Sequence, residues 1–272
     1  MIEAVALGPD GAVFSVSRAK GVSRVLAHAP RAAAVLYETK EKLTSLWVSP
    51  TKTVYAGGKK LHFGGAKGAW QTAKLPHDAF SMWGASDDEL FIGSDAGAVS
   101  RRAKGAWTSL GDLGDVVTCI AGTSARDVFF TGFFEGVRHY DGERMTTRFP
   151  IDQTQGMRLG ASATWVCTCD ALYVVEAGGA PREVASFDDE AYGVGVGTGG
   201  VFVLAPAEIL RVSAGGAVEV ARDNADKALM KKGGEYSTAI TSDGTRVVVG
   251  GVDAVLVHDG RSFSVWPISK SG

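Results

Sequence analysis

Short runs of β-branched and aromatic residues, broken by clusters of Gly, Asp, Ser and Pro, recur from one end of the chain to the other. Runs of this length and composition predict β-strands. One run can be laid over itself seven times. It reads AVFSV from Ala12, TVYAG from Thr53, ELFIG from Glu89, DVFFTG from Asp127, TWVCT from Thr164, GVFVL from Gly200 and RVVVG from Arg246. Successive copies are 41, 36, 38, 37, 36 and 46 residues apart, so near-equal units fill the sequence and leave no linker between them.

The surroundings of each copy repeat as well. A strand comes before it (TSLWVS, FSMWGAS, VTCIAG, GMRLGAS, STAITS) across a polar turn such as GPDG at 8–11 or TSDG at 241–244. A glycine-containing turn and a third strand follow (AVSRRA, GVRHYD, AVLVHD). A Lys-Gly or Asp-Gly pair at 67–68, 104–105, 141–142 or 259–260 then leads to a fourth strand. Those dipeptides suit hairpin turns that need positive φ. Four short antiparallel strands per unit of about 40 residues is the arithmetic of a β-propeller blade. The sequence therefore predicts an all-β, seven-bladed propeller with four antiparallel strands per blade, as a single domain over 1–272. Its blades lie near 2–38, 43–77, 78–114, 115–152, 153–190, 191–234 and 235–272. The first unit begins on an inner strand and the last ends on an outer one. The ring is expected to close by packing of the last blade on the first, without strand exchange between the termini.

The stretches MWGASDDELFIGSDAGAVSRRAKGAW and ITSDGTRVVVGGVDAVLVHDGRSF resemble the broad superfamily of bacterial propeller repeats related to WD-repeat, YVTN and BNR-like proteins. The W-G-x-S phrasing is similar to repeats of myxobacterial and other high-GC bacterial proteins. The resemblance spans the whole chain and implies architecture alone, since such proteins include binding scaffolds, assembly factors and enzymes. No regular Trp-Asp dipeptide ends the blades, and SDAGAVS at 94–100 lacks the Trp of a sialidase-type Asp box.

Composition narrows the function classes. With 272 residues, 45% of them hydrophobic, the chain can bury a large core. Its net charge of -2 excludes a strongly basic nucleic-acid binder. No apolar run approaches the roughly 18 residues of a membrane span, and the first residues do not read as a signal peptide. Cys119, Cys167 and Cys169 are an odd number of thiols, and the last two share one face of a strand. Reduced cysteines in a cytoplasmic protein are the plain expectation.

Candidate chemistry comes in two places. The first is the inner-strand column holding Trp47 and Trp83, read on as Ala6, Ala121, Arg158, Val194 and Ile240. It would give the central channel an aromatic wall and one cation, although large apolar residues at strand period are core by default. No His-x-His or Cys-x-x-Cys metal spacing occurs among the histidines and cysteines, and no metal or cofactor is expected. The glycine-rich GVGVGTGG at 193–200 has no helix after it to bind a phosphate.

The second place is a periodic charge. The loops between blades carry Lys42, Asp78, Asp115, Asp152, Asp189 and Glu235 in register. The turns between second and third strands carry Lys20, then Lys59 and Lys60, then Asp95, Glu135, Asp170, Glu208 and Asp253. Strand alternation brings both sets to one face, acidic over blades 3–7 and basic over blades 1–2. Asp often caps its own turn, and that habit alone could explain one ladder. A longer insertion, RDNADKALMKKGG at 222–234, is read as a short capped helix rising on the same face.

The expected function is a non-catalytic scaffold, monomeric alone, that engages a basic protein partner through this face. Neither a membrane nor a nucleic acid is an expected partner. In a bacterium such a protein could serve as an accessory or immunity-type factor. The alternative is a hydrolase- or lyase-type enzyme or a small-ligand sensor with a channel site at Trp47, Trp83 and Arg158.

Overall fold

The computed structural model describes residues 1–65, 68–134, 136–160, 162–176, 179–188, 190–206, 208–213, 215–221 and 239–268. Within them lie seven separate sheets of four antiparallel strands, each built from consecutive strands. This is a seven-bladed β-propeller. The inner strands are Ile2–Leu7, Leu43–Val48, Ser81–Ser86, Val117–Ser124, Thr154–Leu159, Gly193–Gly197 and Ile240–Ser242 for blades 1 to 7. No strand is exchanged between the first and last sheets.

The apolar residues explain why a blade needs its neighbours. Among the described residues there are seven hydrophobic clusters, and each spans two adjacent blades. Leu61 of blade 2, for example, packs with Met82 and Leu90 of blade 3. The cluster of Ile2, Val5 and Val13 with Val248, Val255 and Val257 joins blade 7 to blade 1. Both faces of every sheet are thus covered, which accounts for the imperfect alternation in the sequence.

A repeated backbone hydrogen bond stitches the blades on one face. Ala79 N–H donates to Gly58 O (2.9 Å), Val117 N–H to Ser94 O (2.9 Å) and Ala191 N–H to Cys169 O (2.7 Å). Gln153 N–H makes the same bond to Phe133 O. Ile2 N–H donates to Gly251 O at 3.1 Å, so the ring closes with the same device it uses elsewhere. Among the described residues, five of the seven junctions carry this bond, each joining an inter-blade loop to the second-to-third-strand turn of the preceding blade. Both loop sets therefore lie on one face.

Register corrects one sequence reading. Trp47 pairs with Tyr55, Trp83 with Phe91, Ala121 with Phe129 and Arg158 with Trp165. The residue opposite the matching aromatic Phe202 is Gly195, and Thr241 stands opposite Val248. The column is Ala6, Trp47, Trp83, Ala121, Arg158, Gly195 and Thr241; Val194 and Ile240 sit one residue off it. A one-residue slip puts a side chain on the other face of the sheet. The Gly-Val alternation of 193–197 offered no bulky residue to fix the alignment.

Candidate functional site

The loop face holds the acids that the sequence placed there. Asp78, Asp95, Asp152, Asp170 and Asp253 are exposed, and Asp115 and Glu208 are half-buried. Asp189, Glu235 and Glu135 lie outside the described residues, as does the segment 222–234 read as a helix. Turn capping accounts for two of the remaining seven carboxylates. Asp115 Oδ1 accepts from Val116 N–H at 2.7 Å, and Asp170 Oδ1 accepts from Thr168 Oγ1–H at 2.9 Å. The side chains of Asp78, Asp95, Asp152, Glu208 and Asp253 make no hydrogen bond or ion pair with a described residue. The turn beside Asp95 is capped by Ser94 instead, whose Oγ accepts from Ala96 and Ala98 N–H.

Acids elsewhere behave differently. On the opposite face Asp10 meets Lys52 Nζ at 2.8 Å, and Asp87 accepts from Thr51 and Tyr55 hydroxyls. Asp243 binds Arg246 (2.8 Å) and two backbone N–H groups of its own turn. Those hydrogen bonds hold the Asp243 carboxyl below the usual range against the opposing effect of its burial. Asp10, Asp87 and Asp243 are thus engaged on the opposite face, where Asp88 is not, whereas five carboxylates of the loop face make no such contact.

The loop face also carries two exposed aromatic rings that sequence reasoning missed. Phe80, between blades 2 and 3, is 42% exposed, and Phe134, in the second-to-third-strand turn of blade 4, is 68% exposed. Among the described residues, the other large apolar side chains with such exposure are valines of outermost strands, Val35, Val218, Val220 and Val265. The signal in the sequence was FTGFFEGV, where a second Phe follows the turn glycine instead of a polar residue.

The basic sector is partly neutralised. Lys20, Lys42, Lys59 and Lys60 are exposed on blades 1 and 2, but Lys60 Nζ is 2.8 Å from Glu41. Glu41 also accepts from His62 Nε2–H (2.7 Å), and Tyr37 Oη–H donates to His62 Nδ1 (2.9 Å). A carboxylate, an imidazole and a hydroxyl in series are the parts of a nucleophilic triad. Here they form a latch between blades: His62 is 3% exposed, and the Tyr37 ring stacks on Trp70 at 4.6 Å.

The central channel has a volume of about 610 Å³ and is walled by the inner strands. Glu3, Thr44, Thr118 and Gln155 line its mouth on the loop face. Trp47, Trp83 and Arg158 lie at a deeper tier, towards the opposite face. The two indoles are largely inter-blade packing. A Cβ on Gly84 would stand 2.7 Å from the Trp47 ring, and one on Gly122 would stand 2.7 Å from the Trp83 ring. Arg158 turns into the channel. Its guanidinium donates to Met157 O (2.9 Å) and, past the bare inner strand of blade 6, to Ile240 O (2.6 Å) in blade 7. Among the described residues no group of three or more His, Cys, Asp and Glu side chains is placed to hold a metal ion.

No protein-family model matches this chain, and no curated protein matches it. Solved structures do. The chain has the fold of seven-bladed propellers, WD40-repeat proteins among them. The WD40 propeller domain of Doa1 is similar at a TM-score of 0.74 and 14% identity, over 99% of this chain and 93% of that one. The WD40 repeats of RRP9 match at 0.70 and 12% identity, over 98% and 94%. Virginiamycin B lyase from Staphylococcus aureus matches at 0.73 and 14% identity, over 92% of each chain. At such identities the likeness establishes the fold, and proteins named for WD40 repeats and for a lyase share it equally.

Proposed function

We propose that this propeller is a non-catalytic protein-binding scaffold whose acidic loop face engages a basic partner. One observation carries the reading: five carboxylates on that face, Asp78, Asp95, Asp152, Glu208 and Asp253, have no partner among the described residues. Turn capping is no reason for acids there. A sector of one charge steers an oppositely charged partner and favours its encounter. Phe80 and Phe134 supply what charge alone lacks, since exposed rings amid a polar rim are the usual anchors of an interface. WD40 propellers, whose fold this chain shares, often work as protein-interaction scaffolds. The free thiols of Cys119, Cys167 and Cys169 suit a reducing compartment, and we place the protein in the cytoplasm. If its source is a bacterium, an accessory or immunity-type protein that covers a toxin or secretion component is one concrete form of this function.

The test uses a defined probe first and the unknown partner second. A Lys- and Arg-rich peptide should bind the protein with an affinity that falls steeply as salt rises, because exposed charge pairs are screened. The variant Asp78→Lys, Asp95→Lys, Asp152→Lys, Asp253→Lys should lose that binding at least ~10-fold while keeping its melting temperature. A pull-down with each protein should then recover a partner only with the wild type. Equal peptide affinity and equal recovery by both would sink the acidic-face reading.

A further inference from the structure

The channel has features that the loop-face function does not use. Its volume, about 610 Å³, falls in the size range of small-molecule sites. Into it projects one half-buried arginine, Arg158, and no carboxylate of a described residue comes within ion-pair distance of its guanidinium. Both Glu3 and Asp243 line the channel. Glu3 sits at the loop-face mouth, and Asp243 is engaged by Arg246 at the other end.

The arginine is held in place by neutral acceptors. Met157 O and Ile240 O each take one N–H, at 2.9 and 2.6 Å, and Cys119 Sγ is 3.9 Å from Nη1. Carbonyls orient a guanidinium without cancelling its charge. A guanidinium has five donors; two point at these carbonyls, and Nε is buried with no acceptor. A partly desolvated cation with donors to spare carries a standing cost that an anion beside it would relieve. Arginine also presents a planar fork that matches carboxylate and phosphate oxygens.

The rest of the tier completes a site. The inner strand of blade 6 is Gly193–Gly197, and the guanidinium reaches past it to Ile240 O of blade 7. Blades 2 and 3 lie across the ring from blades 5 and 6 and contribute the edges of Trp47 and Trp83. One wall offers a cation, and the facing wall offers apolar aromatic surface.

We propose that the channel binds a small organic oxyanion, a carboxylate or a phosphate monoester carrying an apolar or aromatic group, with Arg158 as its anchor. This site is independent of the loop-face function, so either can fail alone.

The probes are benzoate and phenyl phosphate, with benzamide as a neutral control. Titration calorimetry and tryptophan fluorescence follow binding, since Trp47 and Trp83 line the channel. Saturable binding of at least one anion is expected with Kd at or below ~1 mM. Benzamide should bind at least ~10-fold more weakly than that anion, and the Arg158→Gln variant should lose anion affinity by a similar factor. Arg158→Lys should fall between, because a point charge replaces the fork. The anion that binds tells carboxylate from phosphate. If Arg158→Gln does not fold, the Arg158 Nε–H resonance of the wild-type protein must shift with the same saturation curve. Three results overturn the proposal: no saturable binding of either anion up to ~10 mM, equal affinity for benzamide, or an unmoved Arg158 resonance or unchanged affinity in Arg158→Gln.

Discussion

His28 is 9% exposed in the third strand of blade 1, and its Nε2 is 2.8 Å from Ser15 Oγ while its Nδ1 has no partner. Burial drives its pKa down to about 4 from 6.5, so the native ring is neutral where an unfolded one begins to charge. The folded value is the lower of the two. The unfolded chain therefore binds the extra proton between these values, and stability rises with pH across that window. His28 should cost the fold on the order of 3 kcal/mol as pH falls from about 6.5 to 4. Urea unfolding at several pH values should show this slope in the wild type and a shallower one in His28→Leu; identical slopes would refute it. His258 is pushed in the same direction by its own burial, which is why the comparison is with a variant and not with theory. Cysteine makes a second prediction at this scale. Cys167 is fully buried, and burial raises its thiol to about 12. Mass spectrometry after brief alkylation of the native protein should find Cys119 and Cys169 modified and Cys167 untouched until the chain unfolds. Which histidine and which thiol are buried could not be read in the sequence. Four of the five histidines lie on third strands, yet His28, His62 and His258 are buried and His139 is half-buried. Cys167 lies in the second strand of blade 5 and reaches the core between blades 5 and 6, whereas Cys169, expected on the same strand face, stands just past the strand end in the turn.

Inner strands carry the argument at the next scale. The two tryptophans of the column are each matched by a glycine on the next blade: Trp47 by Gly84, Trp83 by Gly122. Enlarging the small partner forces the indole or the strand to move. Gly84→Ala and Gly122→Ala should each destabilise by about 1–3 kcal/mol, the usual cost of overpacking, measured as a drop in the urea midpoint with unchanged slope. Blade 6 follows the same rule with the sizes reversed. A Cβ on Gly195 would lie 2.8 Å from Val247 Cγ1 and 3.2 Å from Ile240 Cδ1, so its glycines let blade 7 approach. The sequence showed the repeat of strands, turns and aromatics because those are set locally, by propensity and hairpin chemistry. At 104–105 both Lys104 (φ 50°) and Gly105 (φ 85°) adopt the positive φ that the dipeptide suggested. It did not show the alignment of a strand made only of Gly and Val, because such a strand has no bulky residue to mark which face is inward.

Closure and charge belong to the whole molecule. Blade 7 meets blade 1 through the Ile2 to Gly251 hydrogen bond, the valine cluster and the Arg246 guanidinium, which donates to Gly11 O at 2.6 Å while bound to Asp243. Arg246→Ala should lower stability by about 1.5–3 kcal/mol, because it removes a charge-assisted bond at the closing seam and leaves Asp243 without its cation. Thermal melting should show one cooperative transition at a lower midpoint; an unchanged midpoint would mean the seam is held by its apolar core alone. Along the chain, sequence by itself determined seven units of four strands, since repetition and strand patterning are local properties. It also placed the acids on one face, since strand direction alternates by rule. Only the tertiary structure decided which of those acids are spent on turns and which remain without partners. Likewise it alone turned Arg158 into the channel and brought Phe80 and Phe134 to the loop face. The seat of Arg158 depends on a carbonyl of another blade, 82 residues away in the chain, and no local pattern encodes that distance.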